Sequence, residues 1–87
     1  MPTIWIPPLM RDLTDGKDSV RVQGRTVGQA LANLDAIHPG ARDRLSQGDD
    51  LRSFIVVVVD GEVSGMRMHQ PLQENSEVHF LPVMEGG

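Results

Sequence analysis

Six consecutive residues, Phe54-Ile55-Val56-Val57-Val58-Val59, are apolar, and five of them are β-branched. Branching at Cβ stiffens χ1 and suits a pleated, extended backbone, and Asp60-Gly61 closes the run with a strong turn signal. The run therefore predicts a strand, read here as the central one of a sheet. Because both alternating sets of side chains are apolar, both faces must be shielded from water. A helix can cover one face; the other needs a partner or a second copy of the chain.

The remaining elements follow from periodicity. Thr3-Ile4-Trp5-Ile6 is rich in β-formers and stops at Pro7-Pro8, predicting a short first strand with an extended exit. Asp18 to Gln23 alternates polar and apolar, the period of a half-buried strand, so the two should form an antiparallel hairpin. The long loop between them should tuck Leu9 and Leu13 inward and leave Arg11 and Asp12 in water. Thr26-Val27-Gly28-Gln29 fits a capping box, with Thr26 accepting from the Gln29 amide and the Gln29 side chain reaching back to the Thr26 amide. Val27, Ala30, Leu31, Leu34 and Ile37 then make one helical stripe, which Pro39-Gly40 ends. Ala41 to Leu45 adds a turn with Arg42 and Arg44 solvated, and Ser46 to Asp50 reads as a polar loop. Glu62-Val63 and Met66-Arg67-Met68 read as an edge segment, Pro71 to Ser76 as a turn-rich bridge, and Glu77 onward as the last strand.

This order, strand, strand, helix, strand, edge piece and strand, predicts an α+β β-grasp: a small mixed sheet with one main helix on one face. Residues 1–87 form a single domain, with 83–87 expected as a mobile tail, because Pro82 lacks an amide donor and weakens pairing just before them. Val27, Leu31, Leu34 and Ile37 should pack against Val20, Val22, Ile55, Val57, Val59, Val78 and Phe80. By strand alternation Phe54, Val56, Val58 and Leu81 point the other way and form a candidate docking face, with self-association as its alternative use.

Composition narrows the function. A formal charge of −4 with scattered basic residues gives no footprint for nucleic acid. The absence of cysteine removes disulfides, thiolate metal sites and a Cys nucleophile from the chain itself. His38, His69 and His79 are too separated for a local metal motif, so no metal is expected. Asp49-Asp50 reads as a solvated pair, and neither Gly24 to Gly28 nor Gly61 to Gly65 matches a phosphate loop. With no secretory leader pattern and no apolar run of membrane-spanning length, a cytoplasmic protein that does not enter membranes is expected. What stands out is the ending: Pro82-Val83-Met84-Glu85-Gly86-Gly87. Glycines thread channels that no other residue fits, which makes the Gly87 carboxylate the candidate working group and Glu85 and Gly86 the residues threaded with it. A frayed end is the plain alternative.

Several stretches together resemble the ubiquitin-like sulfur carriers: the thiamine sulfur carrier, the molybdopterin synthase small subunit and the thiocarboxylate carrier of cysteine biosynthesis. They are Ile6-Pro7 before a Leu-containing loop, Val20-Arg21-Val22, Thr26 to Leu31, Pro39 to Leu45, Leu51-Arg52-Ser53-Phe54 and Glu77 to Gly87. The long first loop and the Pro-Gly-x-Arg-x-Arg-Leu and Leu-Arg-x-Phe pieces are most similar to the cysteine-biosynthesis carriers. Val56 and Val58 stand where relatives often carry a polar residue and an aromatic. The resemblance implies a carrier and not an enzyme. An ATP-dependent adenylating enzyme would activate Gly87, a sulfur donor enzyme would convert it to a thiocarboxylate, and an acceptor synthase would consume the sulfur. ATP would be spent by the activating partner, with no cofactor bound by the carrier. The alternatives implied are a molybdopterin synthase small subunit and a ubiquitin-like modifier that joins Gly87 to lysines. A weak homodimer is a further expectation.

Overall fold

The computed structural model describes residues 1–83. Strands β1 (Thr3–Trp5), β2 (Ser19–Arg21), β5 (Ile55–Val59), β6 (Glu62–Ser64) and β7 (Glu77–Pro82) form one sheet in the order β2-β1-β7-β5-β6. β7 runs parallel to β1 and antiparallel to β5, while β1–β2 and β5–β6 are antiparallel hairpins. The predicted β-grasp is present, with one correction. β7, not the valine-rich β5, is the middle strand, because β5 has only the short β6 beyond it. Pairing order is set by long-range contacts that local hydrophobicity does not encode.

Helix α1 (Val27–Ile37) lies on one face of the sheet and buries Val27, Ala30, Leu31 and Leu34. Opposite them Val22, Ile55, Val57, Val59, Val78 and Phe80 are buried as predicted, joined by Ile4, while Val20 of the predicted set is only partly buried and packs against the core from its margin. Ile37 lies outside the core, at 58% exposed. It is the last residue of α1, and the buried His38 caps the end by donating its amide to the Leu34 carbonyl at 2.8 Å. The chain then turns through Gly40, whose φ of 100° is open to glycine at little cost. Asp35 secures that turn, its Oδ1 accepting from the Gly40 and Arg42 amides at 3.1 Å each, and a short helix α2 (Ala41–Leu45) follows.

The α1 cap is half the predicted box. Thr26 Oγ1 accepts from the Gln29 amide at 3.2 Å, but the Gln29 side chain accepts from the Arg25 amide at 2.9 Å instead of that of Thr26. Thr26 forms a bridge with Pro71, flanked by bonds from Val27 N–H to the Gln70 carbonyl and from Leu72 N–H to the Arg25 carbonyl.

The loops depart further from expectation. Pro8–Met10 is a 3-10 turn, and within it Met10 is buried while Leu9 is 89% exposed, reversing the predicted anchor. Thr14 is the second true anchor, fully buried with its hydroxyl donating to the Lys17 carbonyl. Leu13 packs partly against the core, and Arg11 is half-buried, donating through Nε to the Ile6 carbonyl at 3.3 Å. The polar loop after α2 is a small hairpin, β3 (Ser46–Gln47) with β4 (Asp50–Leu51), turned by Gly48 at φ 65°. Met66-Arg67-Met68 is not an edge strand: Arg67–His69 is a 3-10 turn that buries Met68 beneath α1.

Replacing Leu31 by Ala should destabilise the protein by roughly 2–5 kcal/mol in urea unfolding, as truncation of a buried leucine does. Ile37→Ala should stay within about 0.5 kcal/mol, the range of surface changes. Equal losses at both positions would mean that α1 is rotated from this placement.

Candidate functional site

The predicted working residues Glu85, Gly86 and Gly87 lie outside the described residues, as does most of the predicted tail 83–87. What the structure describes is the end of β7, which precedes them in the chain. Pro82 sits opposite Ile55, and the next amide, Val83, still donates to the Phe54 carbonyl at 2.7 Å. Pairing therefore runs through Val83. In an antiparallel ladder bonded pairs alternate with unbonded ones, so the missing N–H of Pro82 faces away from β5 and costs that ladder no bond.

The turn that receives Val83 is held by one side chain. Arg67, at φ 53°, donates through Nη1 to the Ile55 carbonyl (2.8 Å) and through Nη2 to the carbonyls of Leu51 (2.8 Å) and Arg52 (3.0 Å). Its Nε donates to Asp50 Oδ1 at 3.2 Å. The Ile55 amide closes the turn on the Arg52 carbonyl at 2.9 Å. The same alternation that frees Pro82 turns the Ile55 carbonyl toward β6, which pairs only with Val57–Val59, and Arg67 fills the vacant position. The Leu51 amide, followed by the Arg67 guanidinium, holds the Asp50 carboxyl below its ordinary range.

Two apolar surfaces flank the exit. Val56 pairs with Leu81 and Val58 with His79, so these side chains share the sheet face opposite α1. Val56 and Val58 are half-buried, Leu81 is 46% exposed and Val63, across from Val58, is 70% exposed. The same face carries Trp5 stacked on His79, ring centres 5.6 Å apart and planes 6° from parallel, with Trp5 Nε1 donating to Glu77 at 3.0 Å. Sequence reasoning missed Trp5 on this face. The signal was present in the alternation of Thr3-Ile4-Trp5, which sends Trp5 away from buried Ile4.

Phe54 stands apart from the predicted set. It occupies the turn before β5 and lines a separate groove of about 280 Å³ with Leu9, Met10, Leu45, Phe80 and Pro82. Strand alternation starts only at Ile55, so it does not govern where Phe54 lies. Arg44 borders this groove, bonded to Asp12 and to the Leu9 carbonyl at 3.2 Å each. A larger cleft of about 440 Å³, between Met1-Pro2, Gln23 to Arg25 and Leu72 to Glu74, lies at the opposite end of the sheet. It is remote from Val83, since Met1 precedes β1 and Glu74 precedes β7. Among the described residues no group of three His, Asp or Glu is placed to hold a metal ion. No helix among them is long and apolar enough to cross a membrane.

Arg67→Met should loosen the Leu51–Ile55 turn and speed hydrogen exchange at the Val83 amide at least tenfold, while Asp50→Asn should leave it nearly unchanged because three carbonyl contacts remain. The sign with pH follows from the lowered carboxyl: any support from Asp50 is present above its unfolded pKa and is lost as pH falls through the lower folded one. An Arg67→Met variant that keeps Val83 protected would show that the guanidinium does not set the exit.

The comparisons with known proteins agree with this architecture. The ThiS family model matches residues 6–87. The chain is 31% identical to the sulfur carrier protein CysO of Mycobacterium tuberculosis, across 98% of this chain and 97% of that protein. The crystal structure of the Amycolatopsis orientalis BexX/CysO complex contains a chain that superposes with a TM-score of 0.89 at 30% identity, covering 100% of both chains. The crystal structure of Mycobacterium tuberculosis CysO gives a TM-score of 0.87 at 29% identity, covering 97% of this chain and 100% of that one. A match through almost the whole length, on a sheet and helix of the same arrangement, establishes that the chain belongs to the ThiS family.

Proposed function

We propose that this chain is a sulfur carrier that transfers sulfur as a thiocarboxylate on Gly87. The observation that carries this reading is the family match through Gly87, on a domain whose middle strand leads directly to that end. A carboxylate is a poor electrophile, so an ATP-dependent adenylating enzyme first joins Gly87 to AMP with release of pyrophosphate. A sulfide-level donor then attacks the acyl carbon and expels AMP, leaving the thiocarboxylate. The carrier's own contribution is presentation. Gly86 and Gly87 have no side chains to obstruct a narrow channel, and Glu85 follows them into it. An acceptor synthase receives the sulfur in a biosynthetic reaction of cysteine, cofactor or secondary metabolism. The carrier binds no cofactor in this scheme, and its setting is the cytoplasm.

Val56, Val58 and Leu81, extended by Trp5 and His79, form the face we assign to docking of the activating enzyme. Apolar side chains on a sheet face beside the delivered group can anchor a partner while the tail enters its active site. Phe54 contributes from the neighbouring groove.

Deleting Gly87 should abolish loading by the adenylating enzyme, read as loss of the mass gain of one sulfur-for-oxygen exchange, without changing the thermal melt. Continued loading of the truncated chain would remove the carrier assignment, and a lysine adduct in place of sulfur would turn it into a protein modifier. Val58→Asp should raise the concentration of carrier needed for half-maximal loading at least tenfold at unchanged melting temperature. Should that variant unfold, Val58 belongs to the core and docking lies elsewhere.

A further inference from the structure

The outer strand of a sheet leaves one row of backbone donors and acceptors open to pairing with another chain. β2 is such a strand, at the end of the order β2-β1-β7-β5-β6. Ile6 N–H donates to the Asp18 carbonyl at 2.8 Å and Val22 N–H to the Pro2 carbonyl at 3.0 Å, on either side of the Ile4–Val20 pair. Bonded pairs alternate with unbonded ones in an antiparallel ladder, so Asp18, Val20 and Val22 bond to β1, and the N–H and C=O of Ser19 and Arg21 point away from the sheet. The row closes just beyond them, where Asn33 of α1 donates through Nδ2 to the Gln23 carbonyl at 2.7 Å.

The side chains along this edge sort by face. Lys17, Arg21 and Arg25 recur at every fourth residue and are exposed, whereas Val20 is half-buried and Val22 fully buried on the face that carries α1. The ion pairs among the described residues use Arg44, Arg67 and the N-terminal amine, and none uses Lys17, Arg21 or Arg25. Of the neighbouring acids, Glu74 pairs with the N-terminal amine, Glu77 accepts from Trp5, Asp15 precedes the strand, and Asp18 alternates to the other face. Asn33 and Ile37 are one helical turn apart, so the side of α1 that meets Gln23 also carries the exposed Ile37. The edge thus has a basic flank at Lys17 and Arg21 and an apolar flank at Val20 and Ile37.

We propose that the β2 edge binds an extended segment of another protein in which acidic and aliphatic residues alternate. The segment adds to the five-stranded sheet as a further strand, its backbone pairing with the open groups of Ser19 and Arg21. Its carboxylates lie along Lys17 and Arg21, with Arg25 beyond, and its aliphatic side chains, at alternate positions and so on the opposite face, cover Val20 and Ile37. A second copy of this chain fits poorly. Two β2 strands related by a two-fold axis set Arg21 opposite Arg21 or Lys17, or diagonal to both, and like charges so placed oppose pairing. The site needs nothing from Gly87, so it stands or falls apart from the carrier reading.

The full chain is titrated with a capped peptide of about seven residues alternating Glu and Val, near the length of a typical strand, and followed by amide NMR. The expected result is hydrogen exchange slowed at least about tenfold at the Ser19 and Arg21 amides at saturation, while the Val63 amide on the opposite edge of the sheet keeps its rate. N-methylation at alternate residues removes the donors on one edge of the peptide. Of the two peptides methylated in this way, one should lose binding and the other keep it. Lys17→Glu and Arg21→Glu together should weaken the unmethylated peptide at least about tenfold at unchanged melting temperature, and a peptide alternating Lys and Val should not bind the unsubstituted chain. Absence of binding, the same response to both methylated forms, or shifts confined to Val56, Val58 and Leu81 would overturn the proposal. So would protection of Ser19 and Arg21 that appears without peptide and rises with protein concentration, since a second copy would then cover the edge.

Discussion

The structure depends on the double pairing of β7, parallel to β1 on one side and antiparallel to β5 on the other. These ladders join the N-terminal hairpin to the C-terminal one and bury Val78 and Phe80 under α1. The start of β7 is pinned by polar groups. Asp60, at φ 52° in the β5–β6 turn, accepts from the Glu77 amide and the Ser76 hydroxyl at 2.9 Å each. Its own amide donates to the Glu77 carbonyl at 3.0 Å, and buried Ser76 also accepts from the Gln73 amide at 2.8 Å. A buried hydroxyl whose donor and acceptor roles are both used carries no desolvation penalty from an unmet bond. Register is thereby set at the first residue of the strand, and the position at which the chain leaves the sheet follows from it.

Much of this was legible in the residues, because the informative signals were local. The alternation of Ile55, Val57 and Val59 against Val56 and Val58, the α1 stripe and the Thr26 cap each rest on geometry repeated within a few residues. The misreadings have a common cause in backbone conformations and contacts that periodicity does not report. Arg67 adopts a positive φ, uncommon for a residue with a side chain, and three carbonyl contacts from its guanidinium hold it there. Leu9 faces out and Met10 faces in because the 3-10 turn after Pro7 shifts which residue points inward. His38, whose imidazole gave no apolar signal, is buried at the helix end while Ile37 faces out.

The candidate site was legible in a different way. Its chemistry came from the residue types at the end of the chain and from family resemblance. What only the folded arrangement supplies is the division of labour around the exit, with Arg67 securing the turn that binds Val83 and separate apolar surfaces on either side. Many of the polar contacts of the described residues serve capping and turn closure. Thr14, Ser46 and Ser76 are buried, and each hydroxyl is bonded. No buried side-chain donor or acceptor among the described residues is left unmatched.

On the proposed carrier reading, tether length would decide how the domain discriminates between partners. Gly87 lies four residues beyond Val83, a contour of at most about 14 Å, so on the proposed carrier reading an active site that takes Gly87 must come that close to the C-terminal end of β7. An enzyme at that distance contacts what surrounds Val83: Leu81 on the open face, Phe54 and Pro82 in the groove, and Leu9 beyond them. A longer tether would let the chemistry proceed without regard to this surface. With a short one, shape and apolar complementarity around the exit become conditions for the reaction. The two surfaces lie in different directions from Val83, so on the proposed reading an activating partner and an acceptor partner would each meet a different side of the chain.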